Sequence, residues 1–212
     1  GMQESVKPYI RIDEVPFDYQ RRMMSVVVRW NEQFAIITKG APESVLFKCT
    51  RVEMMGKSEP ISADLSLSIN DKFLELSQQG YRTIAVAYRS IGVKTSYSVE
   101  DERDLTLLGF LVFTDPPKKD ANQAVTKLKE MGVDIKILTG DNELVARKIC
   151  DDLKIPVKRV VGGSELTEMS STEIKAVVEE TTIFARITPE QKLDIIKALK
   201  ANGHVVGFMG DG

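Results

Sequence analysis

The sequence predicts an α/β protein in two parts, an α+β part built on antiparallel strands followed by a mainly parallel, doubly wound sheet. Two observations carry this expectation. Before residue 105 or so, short alternating stretches dominate and helices are few. After it, short apolar runs and amphipathic helices take turns along the chain, the pattern of parallel strands joined by helical crossovers. The length of 212 residues suits one large domain or two small ones. The boundary is expected between 114 and 115, giving parts 1–114 and 115–212.

In the first part, Val26–Trp30 and Phe34–Thr38 flank the polar Asn31-Glu32-Gln33, which reads as a hairpin with a short loop. A helix with Ile69, Phe73 and Leu76 on one face is closed by Gly80. Arg82–Tyr88 is a further strand candidate. After residue 105 a strand at Leu107–Phe113 precedes a helix with Ala121, Ala124, Val125 and Leu128 on one side, stopped by Gly132. A strand at Asp134–Leu138 leads to a helix over about 142–153. A short strand near Val160 comes before Ser170-Ser171-Thr172-Glu173, a capping-box pattern. Thr182–Ala185 is a strand, and Thr188-Pro189-Glu190-Gln191 supplies both a cap and an N1 proline for the next helix. Gly203 ends that helix, and Val205–Met209 is expected to be the last strand.

Composition narrows the function. A net charge of −2 gives no electrostatic support to non-specific nucleic-acid or membrane-surface binding. No apolar run reaches the roughly 18–20 residues of a membrane helix. Cys49 and Cys150 stand far apart, which argues against a disulfide framework or a structural zinc site and suits a reducing cytosol. The opening Gly1-Met2 reads as an expression scar, and no signal peptide is expected.

In a doubly wound sheet the strand carboxyl ends share one edge, where ligands bind. Following the expected strands are Thr114-Asp115, Thr139-Gly140-Asp141, Arg186 and Gly210-Asp211-Gly212. Carboxylates, a hydroxyl, an arginine and glycines would crowd one rim, with Lys192 just inside the helix after Arg186. Glycine lets backbone N–H groups approach a phosphate, and an aspartate can hold Mg²⁺. This set suits phosphoryl transfer, in which positioning and electrostatics supply most of the catalysis. The common nucleotide loops are missing. Gly56-Lys57-Ser58 ends like a Walker A loop, but Arg51 stands where its first glycine belongs, and no GxGxxG occurs.

Five motifs in order then resemble the P-type cation-transporting ATPases. Lys39-Gly40-Ala41-Pro42-Glu43 looks like the family's KGAPE nucleotide-site motif. Asp115-Pro116-Pro117-Lys118 is similar to its hinge, where arginine is commoner than Lys118. Thr139-Gly140-Asp141 matches TGD, Thr188–Lys192 the segment with an essential lysine, and Met209–Gly212 the front of GDGxND. Pro16–Arg22, Ser25–Val28 and Gly203–Gly212 resemble the bacterial magnesium-transporting subgroup. The resemblance implies a haloacid-dehalogenase-like (Rossmann-like) sheet in the second part, a partial nucleotide-binding domain over 1–114 and a partial phosphorylation domain over 115–212.

Site roles follow from the resemblance residue by residue. Phe17 would stack on adenine, and Lys39, Gly40 and Ala41 would line the pocket. Arg82 would reach the phosphates from the nucleotide-binding domain. The family often has arginine where this chain has Tyr19. Asp115 and Arg186 would orient the ribose and hinge side. Thr139 and Gly140 would hold the transferred phosphoryl group, with Asp141 ordering the rim. Lys192 would stabilise the phosphorylated aspartate, and Asp211 would bind Mg²⁺.

The implied cofactors are ATP and Mg²⁺, and the implied cargo is a cation, Mg²⁺ by subgroup. The implied location is the cytoplasmic side of a membrane-spanning pump. The family's DKTGT nucleophile does not occur in these 212 residues, so the chain is expected to be an excised piece, inactive alone. A haloacid-dehalogenase-type phosphatase and a non-catalytic nucleotide-binding module are the alternative readings. Each site residue also has a plainer role. Thr139-Gly140-Asp141 can be a strand-to-helix turn with Asp141 or Asn142 as cap, Phe17 a core aromatic, Lys39-Gly40 a hairpin exit, Arg82 a strand-end ion pair, Lys192 part of a charged helix face, and Asp211 a solvated terminal carboxylate. His204, the only histidine, is expected to have no catalytic role.

Overall fold

The structure is a computed structural model describing residues 8–115, 117–118 and 120–210. Two compact units emerge from its contacts. One comprises residues 1–75 and 83–113, the other 76–82 and 114–212.

Among the described residues, the first unit holds a seven-stranded mixed sheet, two α-helices and a short 3-10 turn at Val99–Asp101. Its strands are β1 (Ile10–Asp18), β2 (Met23–Trp30), β3 (Gln33–Gly40), β4 (Cys49–Met54), β5 (Lys57–Pro60), β6 (Arg82–Ile91) and β7 (Leu105–Phe113), in the order β1-β2-β3-β6-β7-β4-β5. Helix α1 (Pro42–Phe47) follows β3, and α2 (Ala63–Gln78) precedes β6. The expected hairpin is β2–β3. Its loop is two residues, Asn31 and Glu32, both with left-handed backbone (φ 46° and 64°), between the paired Trp30 and Gln33. Two positive-φ residues are what a tight, right-twisted hairpin requires.

That turn fixes register, and register fixes faces. Met23, Ser25 and Val27 of β2 lie opposite Gly40, Thr38 and Ile36 of β3, and these lie opposite Ala85, Ala87 and Arg89 of β6. Of this set, Met23, Val27, Ile36, Ala85 and Ala87 join Val45, Leu105 and Leu107 in one buried cluster. Lys39 lies on the opposite face, paired with Met24 and Val86.

The second unit holds a three-stranded parallel sheet, β8 (Ile137–Leu138), β9 (Val160–Gly162) and β10 (Ile183–Ala185), in the order β8-β10-β9. Its helices are α3 (Ala121–Glu130), α4 (Glu143–Asp152), α5 (Gly163–Thr167), α6 (Ser171–Glu180) and α7 (Pro189–Ala201). Successive β10 residues point to opposite faces. Phe184 packs with Leu166, Val177, Val178, Ile195 and Leu199 from α5, α6 and α7, whereas Ile183 and Ala185 pack with Ala146 and Cys150 from α4. Helices therefore cover both faces, as a doubly wound sheet demands. The capping boxes at Ser170/Glu173 and Thr188/Gln191 form as their sequences predict.

Three expectations are corrected. The strand expected at Leu107–Phe113 is present as β7, but it does not join the parallel sheet of the second unit; it sits between β6 and β4 of the first unit's sheet and pairs with β4 in parallel. The first unit's sheet is consequently mixed. Val205–Met209 is not a strand. An apolar run becomes a strand only where a neighbour supplies the ladder, and no pairing reaches 204–210, where Val205 and Met209 are exposed. The strand expected over 134–138 shrinks to Ile137–Leu138, because only these two residues find partners on β10.

Replacing Glu32 by glycine is expected to raise unfolding stability by about 0.5–1 kcal/mol. It relieves a left-handed side-chain clash at the cost of extra unfolded-state freedom. Urea denaturation checks this, and a fall in stability would mean that the hairpin does not turn there.

Candidate functional site

In the first unit the site residues gather at one end of the sheet. Asp18 pairs with Met23, Met23 with Gly40, and Gly40 with Ala85, a row that crosses four strands. Gly40 is sterically required there. A Cβ on it would lie 2.4 Å from both the Arg22 carbonyl oxygen and the Met23 Cβ. The close approach lets the Ala41 amide donate to the Arg22 carbonyl at 2.9 Å, at the entry to α1. Lys39 is exposed beside it, so Lys39-Gly40 is both a hairpin exit and a tightly packed crossing.

Phe17 is not a core aromatic. Its side chain is 51% exposed, and the ring meets the ring of Tyr19 edge-on, with centroids 5.2 Å apart and planes at 86°. The turn that follows is tightly bonded. The Asp18 carboxylate accepts from the amides of Gln20 (3.0 Å) and Arg21 (2.8 Å), and the Arg22 amide donates to the Asp18 carbonyl at 2.7 Å.

In the second unit, Thr139-Gly140-Asp141 follows β8, and Arg186 follows β10. Because these strands run in parallel, the two loops leave at the same edge, and three backbone bonds stitch them together. Thr139 N–H donates to the Phe184 carbonyl (2.9 Å), Arg186 N–H to the Asp141 carbonyl (2.9 Å), and Ile187 N–H to the Thr139 carbonyl (3.2 Å). Arg186 has left-handed backbone, with φ 57°. Gly163 packs under it so closely that a Cβ would lie 2.3 Å from the Arg186 carbonyl oxygen. Gly140 is open by contrast, and its Cβ would meet only the Ile187 carbonyl oxygen, at 4.0 Å. Asn142 rather than Asp141 caps α4, accepting from the Val145 amide at 2.9 Å and donating to Ser77 at 3.0 Å.

The Thr139 hydroxyl is engaged locally. It donates to the Asp141 carboxylate (3.1 Å) and accepts from the Asp141 amide (3.0 Å). Arg82 stands at the start of β6 and makes ion pairs, the plainer of its two expected roles. It belongs with the second unit, where its guanidinium bridges Asp115 (2.9 Å) and Asp141 (3.0 Å). The cause is local, since Gly80 adopts φ +84° after α2 and the chain reverses there. All three side chains are partly exposed, so these ion pairs add little stability and exchange readily.

Lys192 lies one turn into α7, half-buried. Among the described residues its ammonium has no hydrogen-bond or ion-pair partner. Asp211, the expected Mg²⁺ ligand, lies outside the described residues. Among the described residues, no three His, Cys, Asp or Glu side chains cluster as a metal cage, and no helix is long and apolar enough to cross a membrane. Burial pushes the Cys49 thiol up to about 12 and the Cys150 thiol to about 11, so neither supplies a thiolate at neutral pH.

Sequence reasoning missed Gly163, the Asn142–Ser77 bond, and the buried Glu102 beneath the Phe17 turn. Glu102 stands in the charged run Glu100-Asp101-Glu102-Arg103, where nothing in the local pattern marks one carboxylate as buried. For Gly163 the available signal was its place directly after a short strand.

The structure thus places an exposed aromatic turn beside the Lys39-Gly40-Ala41 segment in the first unit, and a backbone-bonded Thr139-Gly140-Asp141 rim in the second. In comparison with known families, residues 1–120 match the family described as "P-type ATPase, cytoplasmic domain N". Among curated relatives, the "Magnesium-transporting ATPase, P-type 1" of Escherichia coli K12 is 42% identical over 204 residues, covering 95% of this chain and 23% of the relative. The "Calcium-transporting ATPase" of Bacillus subtilis 168 is 38% identical over 208 residues, covering 96% and 23%. The chain belongs to the P-type cation-transporting ATPase family, and it spans about a quarter of the length of these relatives.

Gly40→Ala is expected to cost about 1–3 kcal/mol through overpacking, while Gly140→Ala stays within about 0.5 kcal/mol of the parent. Chemical denaturation of the two variants checks the contrast. Equal effects would contradict the close crossing at Gly40.

Proposed function

We propose that this chain is the cytoplasmic ATP-handling portion of a cation-translocating P-type ATPase, with Mg²⁺ as the transported ion. On this reading residues 1–114 are part of a nucleotide-binding domain. Residues 115–212 are part of a haloacid-dehalogenase-like phosphorylation domain. The whole protein spans a membrane and couples ATP hydrolysis to cation movement through an aspartyl phosphate, a covalent intermediate that divides one hard step into two easier ones.

The observation that carries the reading is the bonded juxtaposition of the exposed Phe17 turn with Lys39-Gly40-Ala41. An aromatic face suits a purine ring, and an exposed ammonium suits its phosphates. Phe17 stacks on the base, and Lys39, with the Gly40-Ala41 backbone, lines the pocket. Arg82 turns to the phosphates by exchanging its Asp115 and Asp141 carboxylates for phosphate oxygens. Asp115 and Arg186 orient the ribose and hinge side.

Thr139 and Gly140 receive the transferred phosphoryl group, for which the open face at Gly140 leaves room. Thr139 can donate to it once its hydroxyl leaves the Asp141 carboxylate, while Asp141 keeps the rim ordered. Lys192, whose ammonium has no partner among the described residues, neutralises charge on the phosphorylated aspartate of the whole protein. Asp211 would hold Mg²⁺, which takes few carboxylates and completes its shell with phosphate oxygens and water. The Mg²⁺ cargo rests on the magnesium-transporting relatives, and their names speak only for them.

Phe17→Ala is expected to weaken ATP binding about tenfold, in the range of one base–aromatic stack. Titration calorimetry on the 212-residue chain measures it, and unchanged affinity would remove Phe17 from the site. In the same preparation, γ-phosphate-labelled ATP is expected to leave no label on the chain, which contains no DKTGT aspartate. Robust incorporation would contradict the assignment.

A further inference from the structure

Both neighbours of Phe17 are held from beneath by one arginine. Arg21 donates through Nη2 to the carbonyl of Pro16 at 2.7 Å and through Nη1 to Glu102 Oε2 at 2.5 Å. Its own amide donates to the carboxylate of Asp18. Pro16 and Asp18 are the residues on either side of Phe17, so Arg21 holds the backbone of one through its guanidinium and the side chain of the other through its amide.

Glu102 comes from a segment 81 residues away and is fully buried. Its second oxygen accepts from the Ser25 hydroxyl at 2.7 Å, and Ser25 in turn shares a hydrogen bond with Thr38 at 2.8 Å. Ser25 and Thr38 are cross-strand partners on the buried face of the β2–β3 hairpin. The carboxylate therefore ties the turn to the rigid centre of the sheet. A carboxylate sealed from water is costly unless it is paired and hydrogen-bonded, and this one is both. What the arrangement supports is a surface turn whose most conspicuous feature is an exposed phenylalanine.

We infer that Arg21, anchored by the buried Glu102, is a positioning residue that sets the Phe17 ring for stacking on the nucleotide base. This rests on the reading of Phe17 as the base-binding residue. Arg21 does not touch the nucleotide; it acts through Pro16 and the Asp18 turn. A turn fixed before the ligand arrives loses less freedom on binding, and affinity rises accordingly. Tyr19, edge-on to Phe17, limits the ring's other orientations.

The test is a double-mutant cycle on the 212-residue chain, with ATP affinity measured by calorimetry and folding by thermal melting. Arg21→Lys keeps a positive charge opposite Glu102 but cannot donate to Glu102 and Pro16 as a fork. It is expected to weaken ATP binding about three- to tenfold with little change in melting temperature. In the Phe17→Ala background the same change is expected to have no further effect on ATP affinity. Glu102→Gln should repeat this pattern at a lower melting temperature, and Ser25→Ala serves in its place if that variant does not fold. Equal losses in both backgrounds, or no loss in either, would overturn the inference while leaving Phe17 in the site. If Phe17→Ala alone leaves ATP affinity unchanged, the base-binding reading falls, and the positioning role falls with it.

Discussion

The edge of the first unit that carries Phe17 and Lys39 depends on how closely β2 and β3 approach at Gly40. A β-carbon there would overlap the Arg22 carbonyl and Met23. With glycine in place, the Ala41 amide reaches that carbonyl, and the turn carrying Phe17 and Tyr19 is bonded to the strand end carrying Lys39. The requirement is one of volume, since Gly40 is not among the positive-φ glycines. A motif that looks like a list of ligand contacts is thus also a packing motif. Its glycine is required by the neighbouring strand whether or not a phosphate is present.

The second unit solves a related problem with parallel strands. Because β8 and β10 run the same way, Thr139 and Arg186 emerge side by side, and three backbone bonds lock the loops together. The side chains above that frame are held more loosely. Arg82, Asp115 and Asp141 form partly exposed ion pairs, and the Thr139 hydroxyl turns back on its own loop. A rigid backbone frame with exchangeable side-chain contacts is suited to a rim that must accept and release a highly charged group. The Arg21–Glu102 pair is its opposite, since Glu102 is fully buried and losing its partner would leave a carboxylate charge without compensation.

Local chemistry was legible in the sequence where a few neighbouring residues decide the outcome. The β2–β3 hairpin, the caps at Ser170 and Thr188, and the stop at Gly80 all formed because polar turn residues and caps act over four or five positions. Partner choice was less legible. Leu107–Phe113 read correctly as part of a strand, yet nothing in its pattern said that Cys49–Val52 would lie beside it. Val205–Met209 has strand-like composition but no ladder. Of the site, the motif residues were visible as short words, whereas Glu102 was hidden in a charged run. Its importance comes from burial 81 residues away from Arg21, which no local pattern records.

The most direct measurement is an amide chemical-shift titration of the isotopically labelled 212-residue chain with ATP. The account predicts saturable shifts in residues 16–24 and 38–42, the turn and the strand end that Gly40 brings together. Absence of shifts in both segments at millimolar ATP would contradict it.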